Sequence, residues 1–368
     1  MRRFTKFIFI LCNLLLSICL ILGCYGSRIN EGDYWFLGLF TLATPYFVLL
    51  NLLFIIFWIF IKKIFSLIGV ITFLICWFPL INVIQIRKTN FKKEKSNTAA
   101  IRVMNWNVEH FDIVEYKTHP EVKNQMIELI NETDPDIACF QEMVAGEDAN
   151  RSINYLPDFC RDFKMPYHSY SYNKKHNFDK WHHFGKIIFS KYPIVNEQTI
   201  CSDTSNYNSC FQYVDVVKNK DTFRVFNIHL QTFRFSKTNK IYIDDPTSNN
   251  EDGLSESKSI VQKIKKAYIK RHRQADWIKK EMNKSPYPLI LCGDFNDVPN
   301  SYAYTHIGKD MKNAFEEKGS WIGNTFYDLS STLRIDNIFV SQKFNVDQYI
   351  RIKKKLSDHY PVVADLVY

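Results

Sequence analysis

LILCGDFNDVP, at residues 289–299, is the most informative stretch of the chain. Its first four residues are apolar, as in a short buried strand, and Asp294 and Asn296 follow soon after them. In layered α/β proteins, functional side chains gather where strands end and loops begin. The stretch therefore predicts a buried strand that ends in a polar site.

The chain beyond Ala99 repeats this arrangement. Short apolar segments such as 100–106 and 136–140 alternate like strands, and residues 121–131 and 257–282 have the apolar spacing of helices. Strands interleaved with helices indicate a layered α/β fold. The polar residues that lie in or next to the other predicted strands are Asn107, Gln141, Glu142, His229, Asp336, Asp358 and His359.

These residue types suit metal-assisted hydrolysis. Carboxylate and amide oxygens hold a hard cation such as Mg²⁺, a carboxylate orients or deprotonates water, and an imidazole donates to phosphoryl oxygens. Each residue taken alone has an ordinary structural explanation, because Asp, Asn and Gly also dominate turns and a histidine can be buried in a core. Their number and order favour a functional site.

The chain resembles the endonuclease/exonuclease/phosphatase superfamily, which includes DNase I-like nucleases, abasic-site endonucleases, neutral sphingomyelinases and inositol polyphosphate phosphatases. The segments that carry the resemblance, in family order, are MNWNVEHF, DIACFQE, FGKIIFSKYPI, FNIHLQT, LILCGDFNDVP, LRIDNIFVS and SDHYPVV. They cover about residues 99–368. The resemblance implies a four-layer α/β sandwich, with two mixed β-sheets flanked by helices. The transmembrane helices that we expect before it are inferred from the apolar stretches described below.

The resemblance also implies a metal site. Glu142 would be a principal ligand of Mg²⁺ or Mn²⁺, with Asn107 and Asp358 close to the ion. Asn337 departs from the family pattern, which often has Tyr there, although its neighbour Asp336 is kept.

Catalytic roles follow from the same resemblance. Asp294 would orient or deprotonate the attacking water, and Asn296 would position that water and the phosphate. His229 would hydrogen-bond a phosphate oxygen, and His359 would stabilise the transition state or act as an acid. Asp336 would fix the orientation of His359 and raise its pKa, as a carboxylate behind an imidazole does on physical grounds.

Basic residues near the predicted site have less definite roles. Arg234 follows the His229 strand and is a candidate for substrate binding. The predicted helix at 257–282 carries a run of cations, for which a solvated face and contact with phosphates or head groups are both open. The members of this run are Lys263, Lys265, Lys266, Lys270, Arg271 and Arg273.

Three apolar stretches precede residue 90, at residues 4–23, 36–61 and 65–86. Each is long enough for the roughly 20 residues that cross a bilayer as a helix. They predict a membrane anchor of about three helices in residues 1–90, followed by a catalytic domain at residues 99–368.

The positive-inside rule predicts the orientation of this anchor. Arg2, Arg3 and Lys6 would hold the N-terminus in the cytoplasm, and Lys62 and Lys63 would hold the turn between the second and third spans there. An odd number of spans then places the catalytic domain on the non-cytoplasmic side of a membrane, which we expect to be a bacterial inner membrane.

The nine cysteines show no CxxC pair and no zinc-site spacing. Cys201 and Cys210 bracket a polar stretch and would pair in an oxidising compartment, but two free thiols are an equal alternative. Cys24 fits a lipoprotein processing site, so cleavage or lipidation of the first apolar stretch stays open. His182 and His183 precede the GKIIFSKYPI element without an assigned role.

The charge distribution bears on the substrate. Residues 1–98 carry eleven Lys/Arg against three Asp/Glu, whereas the remainder carries 36 against 35. A strongly basic catalytic domain would have argued for a polyanion such as DNA, and that argument is missing.

Three functions remain open from the sequence. The first is an endonuclease-like phosphodiesterase that acts on nucleic acid. The second is a phospholipid or sphingolipid phosphodiesterase, or a phosphatase, of the same fold that acts on a head group. The third is a catalytically inactive, membrane-bound binding module, and the presence of the whole residue set opposes it. The lipid bilayer is the one partner that the N-terminal helices imply.

Overall fold

The computed structural model describes residues 3–28, 34–87, 91–95, 97–173, 177–201, 210–245 and 253–368. Arg2, used above for the orientation, lies outside these residues. The chain divides into two compact units, each of which is discontinuous in sequence. The first unit comprises Met1–Gln85, Phe233–Ala275 and Asp297–His306, and the second comprises Ile86–Thr232, Asp276–Asn296 and Ile307–Tyr368.

The first unit is helical. Its helices are α1 (Arg3–Tyr25), α2 (Leu37–Leu42), α3 (Thr44–Ile61), α4 (Ser66–Ile75), α5 (Trp77–Val83), α8 (Lys237–Asp244), α9 (Gly253–Met282) and α10 (Tyr302–Ile307). The C-terminal residues of α9 and of α10 already belong to the second unit. Residues from three separate parts of the sequence thus contribute to one helical body.

Two helical segments of the first unit are long and apolar enough to cross a membrane, Arg3–Arg28 and Thr44–Ile61. A third candidate is bent by 70° between its halves, Lys63–Ile75 and Trp77–Val83. Length and composition therefore give two or three span candidates where the sequence predicts three. The helix predicted for residues 36–61 is also divided, because α2 ends before α3 begins.

Polar side chains and close packing hold the apolar helices together. Ser17 Oγ donates to Asn51 Oδ1 at 3.1 Å, and Asn51 Nδ2 donates to the carbonyls of Leu16 and Phe47 at 3.2 and 2.9 Å. Gly69 lies so close to Ile55 that a Cβ there would come within 2.5 Å of its side chain. Small residues and interhelical hydrogen bonds allow apolar helices to approach one another closely.

The second unit contains the β-sheets. Its strands are β1 (Ile101–Asn107), β2 (Ile137–Ala145), β3 (Tyr167–Tyr172), β4 (His183–Ser190), β5 (Ile194–Cys201), β6 (Cys210–Lys218), β7 (Asp221–His229), β8 (Leu289–Asp294), β9 (Met311–Asn313), β10 (Asp336–Ser341), β11 (Asn345–Arg351) and β12 (Val362–Val367). They form two six-stranded sheets, in the orders β11-β12-β1-β2-β4-β3 and β5-β6-β7-β8-β10-β9.

Each sheet is mixed. Strands β1 and β2 are parallel in one sheet, β7 and β8 are parallel in the other, and their remaining neighbours pair antiparallel. The helices of this unit are α6 (Glu121–Thr133), α7 (Leu156–Asp162) and α11 (Ala314–Lys318). The predicted fold class, two mixed β-sheets flanked by helices and preceded by a helical region, is confirmed.

Strand β2 shows why these strands consist of continuous apolar runs in the sequence. Ile137 and Cys139 belong to a core cluster shared with residues of the other sheet, whereas Ala138 and Phe140 pack in a second cluster with Met126 of α6. Successive side chains of a strand point to opposite faces of its sheet. Because both faces are covered, every position of this part of the strand is apolar.

A disulfide joins Cys201 and Cys210, which are paired residues at the ends of β5 and β6. Of the two alternatives that the sequence leaves open, the structure shows the bonded one. Disulfides persist in oxidising compartments and are rare in the cytosol. The disulfide is therefore relevant to the cellular compartment in which the second unit lies.

Candidate active site

Strand register brings three of the predicted site residues into one row. His229 at the end of β7 pairs with Asp294 at the end of β8, and Asp294 pairs with Asp336 at the start of β10. Neighbouring strands lie about 4.8 Å apart, so paired residues at strand ends are close in space. The segment after the LILC strand therefore places its carboxylate between an imidazole and a second carboxylate.

Strands β1 and β2 supply the opposite side of the site. Asn107 ends β1 and pairs with Gln141 of β2. The register of β2 against β4 shifts between Phe140 and Met143, and Glu142 in this bulge has a left-handed φ of 52°. Bulges re-aim side chains next to active sites. The Glu142 carboxylate accordingly lies within 3.8 Å of His229 Nε2.

Asp294, Asp336 and His359 form the group that we call the buried cluster. Each is at most 4% exposed, and their ligand atoms lie within 4.8 Å of one another, so the group could hold a metal ion. His359 Nδ1 and Asp336 Oδ2 are 2.8 Å apart, a hydrogen-bond distance. His359 Nε2 is 3.8 Å from Asp294 Oδ2.

The buried cluster perturbs its own protonation. Burial opposes a charge on His359, yet the carboxylates of Asp336, Asp358 and Asp294 outweigh it and hold the pKa of His359 well above its usual range. Burial raises the pKa of Asp294 to about 7, although His359 acts against this shift. An imidazolium thus stands beside a carboxylate that can take up a proton near neutral pH.

His229 has the opposite electrostatic setting. Burial, together with the positive charges of Lys186 and His359, lowers its pKa well below the usual range, so its imidazole is neutral. Its Nε2 lies 3.5 Å from Asp294 Oδ2 and 3.8 Å from Glu142 Oε1. It therefore stands between the two sides of the site.

Glu109, Glu142 and Asp358 form a second group, which we call the open cluster. Glu109 Oε2 accepts a hydrogen bond from the backbone N–H of Asp358 at 2.9 Å. Desolvation of the carboxylate, followed by repulsion from Asp358, raises the pKa of Glu142 to about 7, and the same causes raise that of Glu109 to about 7 although part of its side chain is exposed. Crowded oxygen donors of this kind suit a hard divalent cation.

A left-handed turn positions part of the open cluster. Four consecutive residues, Glu109, His110, Phe111 and Asp112, have φ values between 42° and 63°. Non-glycine residues rarely adopt this conformation, and such strain concentrates at functional sites. The turn places His110 Nε2 3.7 Å from Glu142 Oε2, with the imidazole ring centroid 5.2 Å from that of Phe184.

Hydrogen bonds between side chains and the backbone hold the loop that carries Asp358 and His359. Ser357 Oγ donates to the carbonyl of Asn107 at 2.7 Å and accepts from the N–H of His359 at 3.1 Å. Trp106 Nε1 donates to the carbonyl of His359 at 2.9 Å. The loop is thus fixed to the end of β1.

The two predicted asparagines orient Asp294. Asn107 Nδ2 donates to Asp294 Oδ2 at 3.2 Å, and the backbone N–H of Asn296 donates to Asp294 Oδ1 at 2.8 Å. Asn296 Nδ2 donates to the carbonyl of Leu230 at 3.2 Å, and its φ of 49° is left-handed. Both asparagines therefore lie beside the carboxylate that the resemblance assigns to water activation.

A buried amide network connects the two sheets behind the site. Gln141 Nε2 donates to Asn105 Oδ1 and to Asn227 Oδ1, both at 2.7 Å. Asn227 Nδ2 donates to the carbonyls of Phe140 and Ile187 at 3.0 and 2.9 Å. The network therefore joins β1 and β2 of one sheet to β7 of the other.

Four site residues that the sequence analysis did not assign are Glu109, His110, Lys186 and Ser357. Lys186 is fully buried in β4, and burial lowers its pKa to about 7 against the opposing charge of Glu142. Glu109 could have been found from the sequence, because it is an acidic residue only two positions after the predicted ligand Asn107. Lys186 and Ser357 carried no signal, because their positions depend on pairing between distant segments.

His182 and His183 have structural contacts. His182 Nδ1 is 2.8 Å from Asp179 Oδ2, and its Nε2 accepts from the N–H of Ile153 at 3.2 Å. The ring of His183 stacks on Tyr172 with centroids 4.1 Å apart. Arg234 belongs to the first unit, where it is exposed with a left-handed φ of 54°, and its role in substrate binding stays a prediction.

Solved structures with a similar fold include the catalytic domain of human Nocturnin with bound sulfate, at a TM-score of 0.51 and 16% identity over 74% of this chain and 95% of that one. A functionally unknown conserved protein from Enterococcus faecalis V583 matches at a TM-score of 0.50 and 16% identity, over 72% of this chain and 99% of that one. A mannosyl-6-phosphatase of Bacteroides thetaiotaomicron matches at a TM-score of 0.46 and 17% identity, over 73% of this chain and 100% of that one. At these identities the likeness shows the fold alone.

Two family matches divide the sequence. A domain of unknown function matches residues 5–83, and the endonuclease/exonuclease/phosphatase family matches residues 104–359. No curated protein that was compared matches the chain. The second match covers more than half of the chain and includes both clusters. The chain therefore belongs to the endonuclease/exonuclease/phosphatase family and has its phosphodiesterase/phosphatase fold, with a buried cluster of two aspartates and a histidine.

Proposed function

We propose that the protein is a metal-dependent phosphodiester hydrolase in which a positioned water attacks phosphorus in line with the leaving oxygen. The observation that carries the proposal is the position of Asp294. Its carboxylate accepts from Asn107 and Asn296 and lies beside the imidazoles of His229 and His359. A base and two imidazoles thus converge on one small volume.

The open cluster suits Mg²⁺ or Mn²⁺. Glu142 and Asp358 would hold the ion together with Asn107, and Glu109 lies close enough to join them through its contact with Asp358. The donors are oxygens, and repulsion among the carboxylates favours a bound cation. A bound divalent ion would polarise a phosphoryl oxygen and offset its charge. Asp294, Asp336 and His359 are the alternative ligands, but His359 Nδ1 already engages Asp336.

The chain's own residues would move the protons. Asp294 accepts a proton from water as the water oxygen bonds to phosphorus and the bond to the leaving oxygen breaks. His359, charged through Asp336, stabilises the phosphoryl oxygens or gives its Nε2 proton to the leaving oxygen. Neutral His229 donates a hydrogen bond to a phosphoryl oxygen, and Asn296 orients the water.

Nucleic acid and lipid head groups are both substrates for this chemistry. An endonuclease-like activity is the first expectation from the family motifs, and the balanced charge of residues 99–368 favours a lipid or small phosphoester instead. A binding module without catalysis is disfavoured, because an inactive relative would have no need to keep every polar group of both clusters.

We further propose a multi-pass membrane protein whose catalytic unit faces the non-cytoplasmic side of a bacterial inner membrane. The apolar helices support the membrane location. The basic residues near the N-terminus and the Cys201–Cys210 disulfide both support this orientation.

The experiment is hydrolysis by the full-length protein in detergent, with Mg²⁺, with Mn²⁺ and with a chelator. Plasmid DNA, RNA, sphingomyelin vesicles, an inositol phosphate and bis-p-nitrophenyl phosphate are offered in parallel. Asp294→Asn is compared with Asp221→Asn, a matched change at an exposed position of β7. Metal-dependent cleavage that Asp294→Asn loses and Asp221→Asn keeps supports the proposal. Equal cleavage by both variants contradicts it.

A further inference from the structure

Residues 257–275 of α9 expose a strongly basic face, which the acidic residues Glu256 and Asp276 flank in the sequence. Residues 257–275 contain no acidic residue. The exposed cations are Lys258, Lys265, Lys266, Lys270 and Arg273. Positions three, four and seven apart lie on the same side of a helix, so these cations form one stripe.

The opposite face of α9 is fixed to the N-terminal helices. Tyr268 is buried, and its hydroxyl donates to the carbonyl of Gly38 in α2 at 2.9 Å. Gly38 permits this approach, because a Cβ there would lie 2.5 Å from the Tyr268 ring. Arg271 is fully buried, 3.3 Å from Asp297, with its guanidinium 4.5 Å from the ring centroid of Phe233. The basic stripe therefore cannot rotate inward without breaking these contacts.

A second segment of the first unit is fixed in the same way. Asn300 is buried, and its Nδ2 donates to the carbonyl of Pro79 at 2.8 Å. Asn82 Nδ2 donates to Asn300 Oδ1 at 2.9 Å, and Ser27 Oγ donates to the Asn300 carbonyl. Residues from α5 and from the end of the first apolar segment thus hold a loop that begins one residue after Asn296.

Aromatic residues mark the level of α9 along the apolar helices. Lys265 Nζ lies 6.0 Å from the ring centroid of Trp35, which precedes α2. Tyr34 and Phe36, on either side of Trp35, are 52% and 42% exposed. Trp and Tyr collect at the membrane–water interface. Given the membrane location proposed above, this contact would put the basic stripe at the depth of lipid head groups rather than of acyl chains.

We propose that the basic stripe of α9 docks on the anionic head groups of the bilayer that the N-terminal helices cross. The proposal rests on the membrane location proposed above. Charge complementarity supports it, since clustered Lys and Arg beside a membrane helix bind anionic lipid. Continuity with the apolar helices supports it as well, because α9 and those helices belong to one compact unit.

The test measures lysine acylation in the full-length protein in nanodiscs. One set of discs contains phosphatidylcholine alone and the other also contains phosphatidylglycerol. A water-soluble acylating reagent is used in limiting amount, and peptide mass spectrometry gives the rate at Lys265, Lys266 and Lys270. Exposed Lys220 and Lys343 of the second unit serve as controls.

We expect anionic lipid to slow acylation of the α9 lysines by about threefold or more, with high salt restoring the rate. The two control lysines should react equally in both discs. In a Lys265→Gln/Lys266→Gln variant the protection of Lys270 should weaken, whereas Lys265→Arg/Lys266→Arg should retain it.

Equal rates at the α9 lysines in both kinds of disc would overturn the proposal. Stronger protection by an RNA oligonucleotide in neutral discs would also overturn it, in favour of a nucleic-acid surface. Failure of the chain to enter nanodiscs would remove its premise. Acylation does not require turnover, so a failure to detect hydrolysis would count against the proposed function and leave this readout intact.

Discussion

The buried cluster and the open cluster differ in how the protein holds their carboxylates and in how far solvent reaches them. Asp336 faces His359 at 2.8 Å, and Asp294 accepts from two asparagines. Desolvation of the carboxylate, followed by repulsion from Asp358, raises the pKa of Glu142, and its side chain is 24% exposed. Hydrogen bonds from the protein therefore orient the carboxylates of the buried cluster, although desolvation raises the pKa of Asp294 to about 7 as it does that of Glu142. The open cluster is the more accessible of the two to a cation from solvent.

This difference separates two kinds of work. Groups held by hydrogen bonds in a dry environment suit proton transfer and stabilisation of a transition state. Repelling carboxylates open to solvent suit the capture of a cation. Substitutions in the buried cluster should therefore change the rate at saturating metal, and substitutions in the open cluster should change the metal requirement.

Loss of Asp294 should have the largest effect. Asp294→Asn keeps the size of the side chain but removes the base, so we expect kcat to fall by about 10³-fold. Steady-state kinetics at saturating Mg²⁺ measures it, with Asp221→Asn as the matched control. A variant that regained activity with more Mg²⁺ would instead place Asp294 among the metal ligands.

Loss of Glu142 should raise the metal requirement. We expect Glu142→Gln to need at least about 100-fold more Mg²⁺ for half-maximal activity, because a carboxylate of the open cluster is removed. Magnesium titrations of activity and of thermal stability measure this. Gln198→Glu, a change of the same size at an exposed position of β5, is the control and should leave both titrations unchanged. An unchanged titration would show that the open cluster does not bind the metal.

Substitution of Asp336 should shift the alkaline limb of the pH profile of kcat and leave the metal requirement unchanged. Its carboxylate helps to hold the pKa of His359 above the usual range, so Asp336→Asn should lower that pKa. The charged imidazole is then lost at a lower pH, and the alkaline limb of the kcat profile should shift toward acid, with kcat itself lower by about 10–100-fold. The magnesium titration should stay as in the wild type. A shifted magnesium titration with an unshifted alkaline limb would instead assign metal binding to the buried cluster and proton transfer to the open cluster.

The pH dependence of stability should show the smallest effect. The pKa values of Glu142 and Asp294 are raised to about 7 in the folded protein, so between their ordinary range and pH 7 the metal-free native state binds more protons than the unfolded state. The free energy of unfolding of the metal-free protein should therefore fall as pH rises through this window. The stabilisation by Mg²⁺ should be larger at pH 8 than at pH 5.5, because protons compete with the cation. Thermal melts with Mg²⁺ and with a chelator measure it, and a pH-independent increment would contradict it.

Local patterns predicted the fold and most of the polar groups. Alternation and strand-end chemistry placed His229, Asp294 and Asp336, because register between adjacent strands brings strand ends into one row. The family motif marked Glu142, which follows the Asn107–Gln141 pair by one residue, but no local pattern predicted the bulge in which it lies.

The remainder depends on contacts that have no local signature. Glu109 and His110 reach the site through a left-handed turn, which ordinary residues adopt only under tertiary constraint. The link between Gln141 and Asn227 joins residues on different sheets. The packing of Tyr268 against Gly38 likewise joins two segments whose own periodicity says nothing about each other.

The discontinuity of the first unit has a consequence for biosynthesis. Its N-terminal helices emerge first from the ribosome, but Asn300, which bonds to Pro79 and Asn82, emerges after most of the second unit. At about 5–20 residues per second, synthesis separates these partners by on the order of ten seconds or more. The N-terminal helices must therefore wait, with their polar contacts to Asn300 unmade, while the chain between these partners is synthesised. Assembly of this unit is a late event, and a nascent chain released early would expose surfaces that the complete protein covers.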